Sequence, residues 1–267
     1  MADAGTYLYA VARDVDVPCP EGLRGVADQA VRTIARSGLV AYVSTVPLDQ
    51  FGEEPLRRSM EDLDWLGETA HAHHRVVEAV AAAAPVAPVR LVTVYSGEEQ
   101  VRRLLDERHD DFVEMLSRVA GRQEWGVKAY VEKAQSAAQS VAQPAAPQER
   151  EASRQESSSP GTDYLRRRQA SLRTREETWR QAGARAERIH DVLRSVAVAS
   201  RRHRAQDPEL SGRDEWMVLN GAYLVDEERA EEFARALDGL RGQGIELELT
   251  GPWAPYSFTV LEEGGAR

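Results

Sequence analysis

Cysteine, lysine and aromatic side chains are all scarce in this chain of 267 residues, and each scarcity excludes something. Cys19 is the only cysteine, so an intramolecular disulfide and a cysteine-based metal cluster are both ruled out. Lysine occurs only at Lys128 and Lys133, so positive charge is carried almost entirely by arginine. Long apolar runs are missing too. The most apolar stretch, Ala79 to Val94, is interrupted by Pro85, Pro88 and Arg90 and cannot span a bilayer. No membrane partner is expected. The start of the chain is acidic and then strand-like, unlike a signal peptide, so the cytoplasm is the default location. A formal charge of −10 and a pI near 5.2 favour a soluble, self-repelling protein over a generic nucleic-acid binder.

Catalytic signatures are absent as well. No G-x-G-x-x-G follows a strand, and there is no G-x-x-x-x-G-K-[ST], G-x-S-x-G or H-E-x-x-H. His71, His73 and His74 form the sole histidine cluster, with Glu68 and Glu78 nearby, but no pair has the i,i+4 spacing of a helical zinc site. The plain reading is one ring on an apolar stripe and the others in water. Acidic pairs such as Glu53-Glu54, Asp110-Asp111 and Glu227-Glu228 point about 100° apart on a helix and read as solvated faces. The expectation is therefore no enzyme, no cofactor and no metal site.

Between about Ala134 and Thr162 the chain turns to Ala, Gln, Ser and Pro, with Val141 as its only large aliphatic residue. Such a stretch buries too little apolar area to offset its conformational entropy and reads as a linker over 134–161. It separates residues 1–133 from 162–267. In the first part, Thr6–Ala12 reads as a strand, Leu23–Arg36 as a helix stopped by Gly38, and Leu39–Val46 as a second strand ended by Pro47. Leu63–Ala84 reads as a helix with Leu63, Leu66, Ala70, Val77 and Val80 near one face, followed by a strand Val89–Tyr95. Ser96 and Glu99 form a capping box for a helix striped by Val101, Leu104, Leu105, Phe112, Leu116 and Val119; a fourth strand, Trp125–Val131, follows Gly121. That order fits an α+β, ferredoxin-like sheet with an inserted helix.

The second part opens with a helical segment from about Asp163 to Ala205. Leu165, Leu172, Trp179, Ala186 and Leu193 recur every seventh residue, and Ala182, Ile189 and Val196 add the second seam position only in the C-terminal half. This suits one long helix, or two in a hairpin broken near Gly183, packed as a coiled coil or laid across a sheet. Strand Trp216–Val225, helix Asp226–Leu240 and strand Ile245–Thr250 complete a smaller α+β unit, with a last strand through Phe258 and Val260. From Thr162 to Gln206 twelve arginines face five acidic residues, a net of +7, which leaves −17 for the rest. The arginines surround the helix instead of forming one stripe with interleaved aromatics, so nucleic acid is not the expected partner.

The densest signal lies near the end. Thr250 to Phe258 packs Pro252 and Pro255 with Trp253, Tyr256 and Phe258 into nine residues of a chain that is 6% aromatic. The prolines bias Gly251 and Ala254 away from helix, giving a stiff strip of large rings. Such a strip either plugs a core or meets an apolar partner. Pro252, Trp253, Pro255, Tyr256 and Phe258, with Arg166 and Arg167 on the basic helix, are the candidate partner-binding residues.

Five blocks in this order resemble the gas vesicle protein GvpL/GvpF family: Tyr7-Leu8-Tyr9-Ala10-Val11; His73 to Glu78 with Pro88 to Tyr95; Glu124-Trp125-Gly126-Val127-Lys128-Ala129-Tyr130; Leu219 to Val225; and the terminal strip. There are departures: Ala254 stands where the family usually has a second proline, and Leu91-Val92 replace a more usual Phe-Gly. The resemblance implies a non-catalytic accessory or minor structural protein of gas vesicle assembly. Its implied partners are the hydrophobic main shell protein, which needs its apolar surface covered before it polymerises, and other accessory proteins; the implied location is cytoplasm and gas vesicle. The rival reading is a cytoplasmic ligand-binding or regulatory module on a ferredoxin-like sheet.

Overall fold

Alternating Val, Tyr and Ala in Ala4–Arg13 make strand β1, and every residue from Gly5 to Ala12 is buried. Such unbroken burial requires cover on both faces of its sheet. The computed structural model describes residues 3–13, 20, 22–131, 160–206, 215–242 and 244–259. Cys19, Val260 and nearly all of the expected linker lie outside them.

After β1 come a 3-10 turn at Val26–Asp28, strands β2 (Val31–Arg36) and β3 (Leu39–Pro47), and helices α1 (Leu48–Phe51), α2 (Glu53–Ser59) and α3 (Leu63–Ala81). Strands β4 (Val86–Pro88) and β5 (Val94–Tyr95) then lead into helices α4 (Glu98–Glu107) and α5 (His109–Val119). The remainder is β6 (Arg122–Val131), α6 (Pro160–Val196), β7 (Ala199–Arg202), β8 (Trp216–Asp226), α7 (Ala230–Asp238) and β9 (Ile245–Trp253).

Two antiparallel sheets result. The first runs β2-β3-β1-β4, with β5 also on β1, and the second runs β7-β8-β6-β9. Each is a β-link-β-β-helix-β unit whose opening strand lies between its third and fourth, the ferredoxin-like order. The α+β class and the ferredoxin-like first sheet therefore stand, and the second unit repeats that order.

Several element assignments are corrected. The expected helix Leu23–Arg36 is a 3-10 turn and the edge strand β2. Its apolar spacing mimics a helix, but β-branched Val31, Thr33 and Ile34 favour extension, and Arg36 pairs with Leu39 across a two-residue loop. Ser37 and Gly38 both take positive φ, 53° and 75°, as a tight hairpin turn of the primed type demands. The strand read as the fourth of the first sheet, β6, is instead the centre of the second, pairing with β8 and β9.

Four smaller differences follow. Of the expected strand Val89–Tyr95 only Val94–Tyr95 forms a strand, β5; β4 precedes it at Val86–Pro88, and Val92 between the two takes φ 65°. Glu98 opens α4 with no side-chain cap; the Gln100 side chain instead accepts from Ser96 N–H. The long helix ends at Val196 without a break at Gly183, and β7 follows. The strip ends in a 3-10 turn at Tyr256–Phe258 and not in a strand.

The core lies in layers. On one face of the first sheet, Tyr7, Tyr9, Tyr42 and Val46 pack against Ala72, Val76, Val77 and Val80 of α3. Asp62 caps that helix by accepting from Asp64 and Trp65 N–H, while Leu63, expected to face inward, is 79% exposed. On the other face Leu8, Val11, Ala41 and Val43 meet Val101, Leu105, Phe112 and Leu116 of α4 and α5. The second sheet buries Val127, Leu219, Tyr223 and Leu247 beneath Ile189 and Leu193 of α6 and Phe233 and Leu237 of α7. Its reverse face carries a small cluster of Val119, Ala222, Leu224 and Phe258.

Candidate functional site

The terminal strip leaves β9 and crosses from the second sheet to the first unit. Ala254 enters the core of the first unit and Phe258 the reverse face of the second sheet. Thr259 Oγ1 donates to the carbonyls of Pro88 and Pro255 at 3.2 and 3.0 Å. On the β6 side, Glu124 is buried, and its carboxylate accepts from Ser257 N–H at 2.8 Å and Ser257 Oγ at 2.6 Å. Burial pushes the Glu124 carboxyl above its ordinary range, and the two Ser257 bonds partly hold it down.

On the α3 side, Tyr256 Oη lies 3.3 Å from His74 Nδ1, and His74 Nε2 lies 3.0 Å from Glu78. The Trp253 ring sits 5.4 Å from the His74 ring, and the Tyr256 ring 6.3 Å from His73. Beneath them is a buried polar chain. Tyr7 Oη accepts from Val92 N–H at 2.9 Å and pairs with His73 Nδ1 at 3.0 Å. Tyr9 Oη accepts from Val26 N–H and donates to Ser44 Oγ, both at 2.9 Å. A Cβ on Gly25 would fall 1.9 Å from Tyr9 Oη, so glycine is needed there. Burial lowers His73 to a pKa of about 4, opposed by the Val89 backbone. Which of the two donates in the Tyr7–His73 bond follows the tautomer of the neutral imidazole.

The strip thus divides. Pro255 and Phe258, expected to face a partner, are buried, Phe258 against Val119, Ala222 and Leu224 behind the second sheet. Tyr256 is half-buried, and burial raises its phenol, with Glu78 and Glu124 adding to the effect. Pro252 and Trp253 are exposed, Trp253 at 41%.

The model of the gas vesicle synthesis protein GvpL/GvpF family matches residues 5–260 of this chain. Among curated relatives, gas vesicle protein L of Streptomyces sp. (strain CB03234) is 44% identical over 96% of this chain and 93% of its own length. Gas vesicle protein F of the same strain is 28% identical over 95% and 98%. The chain belongs to the GvpL/GvpF family. Solved structures agree on the fold: GvpF from Anabaena sp. PCC7120 superposes with a TM-score of 0.67 at 20% identity, covering 99% of both chains. GvpF from Microcystis aeruginosa gives 0.63 at 19% identity, covering 96% of this chain and 99% of that one. Membership ties the protein to gas vesicle assembly, and among the described residues no helix is long and apolar enough to cross a membrane.

The GvpL/GvpF likeness also explains a strained residue. Val92 occupies the position where the family usually has glycine, and its φ of 65° is a left-handed conformation that a β-branched side chain resists. The backbone turns there so that Val92 N–H reaches Tyr7. Arg166 and Arg167 lie on α6, away from the strip in sequence, and their side chains are outside the described residues. Among the described residues no group of three or more His, Cys, Asp or Glu side chains could hold a metal. An open hollow of about 640 Å³ is lined by Ser37, Asp106, Glu107, His109, Asp110 and Asp111. Ser37 and Arg36 hydrogen-bond Asp106 and hold its carboxyl below the ordinary range.

The contacts that sequence reading missed are those of His74 and Glu124 with the strip. Both residues lie in family-like blocks, but nothing in local spacing says that these blocks touch the chain terminus.

Proposed function

We propose that this protein is a non-catalytic accessory or minor structural component of gas vesicle assembly that binds the hydrophobic main shell protein. It keeps that protein soluble before polymerisation, nucleates the polymer, or both. The observation that carries this reading is the exposed Pro252-Trp253 corner, held beside His74 by a strip whose other rings are anchored in the two units. A large ring half in water on a rigid support loses little conformational freedom on docking, the usual property of an interface anchor. Family membership supplies the partner class, since a shell built from a very apolar subunit needs a partner that covers it. The same reading assigns Arg166 and Arg167 to the surface that meets shell or accessory proteins.

Co-purification with the shell protein is the test. Wild type retains it, and Trp253→Ala, with an unchanged thermal transition, weakens retention by about 2 kcal/mol or more, at least tenfold in affinity. Equal retention by the two proteins rejects the corner as the anchor. No retention by wild type, together with normal vesicles when the protein is deleted, rejects shell binding itself.

A further inference from the structure

Helix α6 is 37 residues long, yet its first buried described side chain is Ala182. From there Ala186, Ile189, Leu193 and Val196 press on the second sheet. The described side chains before Ala182 are exposed, so residues 160–181 project as an arm about 33 Å long. Trp179 fixes its base by lying 4.0 Å, ring to ring, from Trp216 at the start of β8.

The seven-residue repeat continues into the arm with a changed partner position. In the docked half both seam positions are apolar: Ala186 and Leu193 in one, Ala182, Ile189 and Val196 in the other. In the arm the first position holds Leu165, Leu172 and Trp179, whereas the second holds Arg168 and Arg175. Leu172 and Trp179 are 52% and 41% exposed. A seam that alternates apolar residues with arginine tells partners apart. Two copies paired in parallel along it would set arginine against arginine, a like-charge penalty. From Thr162 to Gln181 six arginines face three acidic residues, a net of +3.

We propose that the arm is a docking site for an amphipathic helix of another protein, one with an apolar stripe flanked by carboxylates. The apolar stripe covers Leu172 and Trp179, and the carboxylates meet the arginines of the second seam position. The arm also carries Arg166 and Arg167, but the proposal is argued from its seam positions alone and does not rest on the shell-protein reading.

Full-length protein is titrated into two labelled synthetic helices, both with a leucine stripe, one flanked by glutamates and the other by lysines, with anisotropy as readout. The glutamate peptide binds at least tenfold tighter, and its affinity falls as salt rises. Leu172→Gln weakens it at least fivefold. The double change Arg168→Glu with Arg175→Glu reverses the preference towards the lysine peptide. These positions are outside the packed cores, so circular dichroism and the thermal transition stay as in wild type. Equal binding of both peptides, binding of neither, or a reversed-charge variant that keeps the glutamate preference overturns the proposal. So does sedimentation showing a dimer that Leu172→Gln dissociates.

Discussion

The two sheets share a strand order but are covered in different ways. In the first unit the opening crossover holds, among the described residues, one 3-10 turn at Val26–Asp28, and helices α3 on one face and α4 and α5 on the other cover the sheet. In the second unit the opening crossover includes α6, whose C-terminal half and α7 cover one face. Among the described residues the reverse face is covered by Val119 of α5 and Phe258 of the strip. Two sheets of one strand order can thus be covered by different means, and the terminal strip supplies part of the cover of the second. Each unit also pairs a buried tyrosine with a histidine: Tyr7 with His73 at 3.0 Å and Tyr223 with His190 at 2.9 Å. Burial lowers both histidines and raises both phenols.

Large-to-small changes probe that difference most strongly. Phe112→Ala, behind the first sheet, is expected to cost about 3–5 kcal/mol, since the ring is fully enclosed. Phe258→Ala, in the four-residue cluster behind the second sheet, is expected to cost roughly half as much. Urea denaturation of the two variants measures both. An equal loss would mean that the strip covers the second sheet as thoroughly as α5 covers the first.

Within α6 the same logic separates docked half from arm. Leu193→Ala, at a buried position, should cost about 2–5 kcal/mol, whereas Leu172→Ala on the arm should stay within about 0.5 kcal/mol. Thermal unfolding of the pair decides it, and a large loss for Leu172→Ala would show the arm packed on its own chain.

Acid sharpens the comparison of the buried histidines. His73 has a folded pKa of about 4 against an ordinary 6.5, so in that interval the unfolded chain binds more protons than the folded one. Stability is therefore full above about pH 6.5 and falls as pH drops towards 4, by up to about 3 kcal/mol from this ring. His190 acts in the same direction, from burial and the neighbouring Arg202. Glu124, raised by burial, acts oppositely, because its folded form holds a proton more readily. Denaturant midpoints between pH 7 and 4.5 should fall steeply for wild type and less steeply for His73→Gln, whose own stability loss is independent of pH. Parallel slopes would remove His73 as the main acid-sensitive group.

The smallest effect concerns Val92. Glycine there should relieve about 1–2 kcal/mol of left-handed strain, less what is lost in packing against the first core. Val92→Gly is thus expected to leave stability unchanged or raise it by about 1 kcal/mol in thermal melts. A clear loss would mean that the side chain's packing outweighs the backbone cost.

Much of this architecture was legible beforehand, for identifiable reasons. Strong amphipathic helices such as α3 and α5, and strands such as β1 and β3, carry periodicities that tertiary context only reinforces. β2 departs from its sequence pattern because Leu23, Val26, Ile34 and their neighbours satisfy a helical spacing, and the Ser37-Gly38 turn that decides otherwise is a two-residue signal. The allegiance of β6 was not local at all, since a strand after Gly121 pairs equally well on paper with either sheet. At the candidate site, the aromatic strip was evident from composition, but its division into buried Pro255 and Phe258 and exposed Pro252 and Trp253 depends on contacts with α3 and β6 that are more than a hundred residues away in sequence. The seven-residue repeat of α6 was visible too, whereas the point at which it leaves the sheet, before Ala182, required the second unit to be assembled.

The central claim is that this molecule acts by covering an apolar polypeptide, and sedimentation of the main shell protein tests it most directly. Co-expressed with the wild-type chain, the shell protein should remain in the supernatant or in intact vesicles, and with Trp253→Ala a larger share should pellet as aggregate. A shell protein that partitions identically with wild type, with Trp253→Ala and with no partner at all would contradict the account.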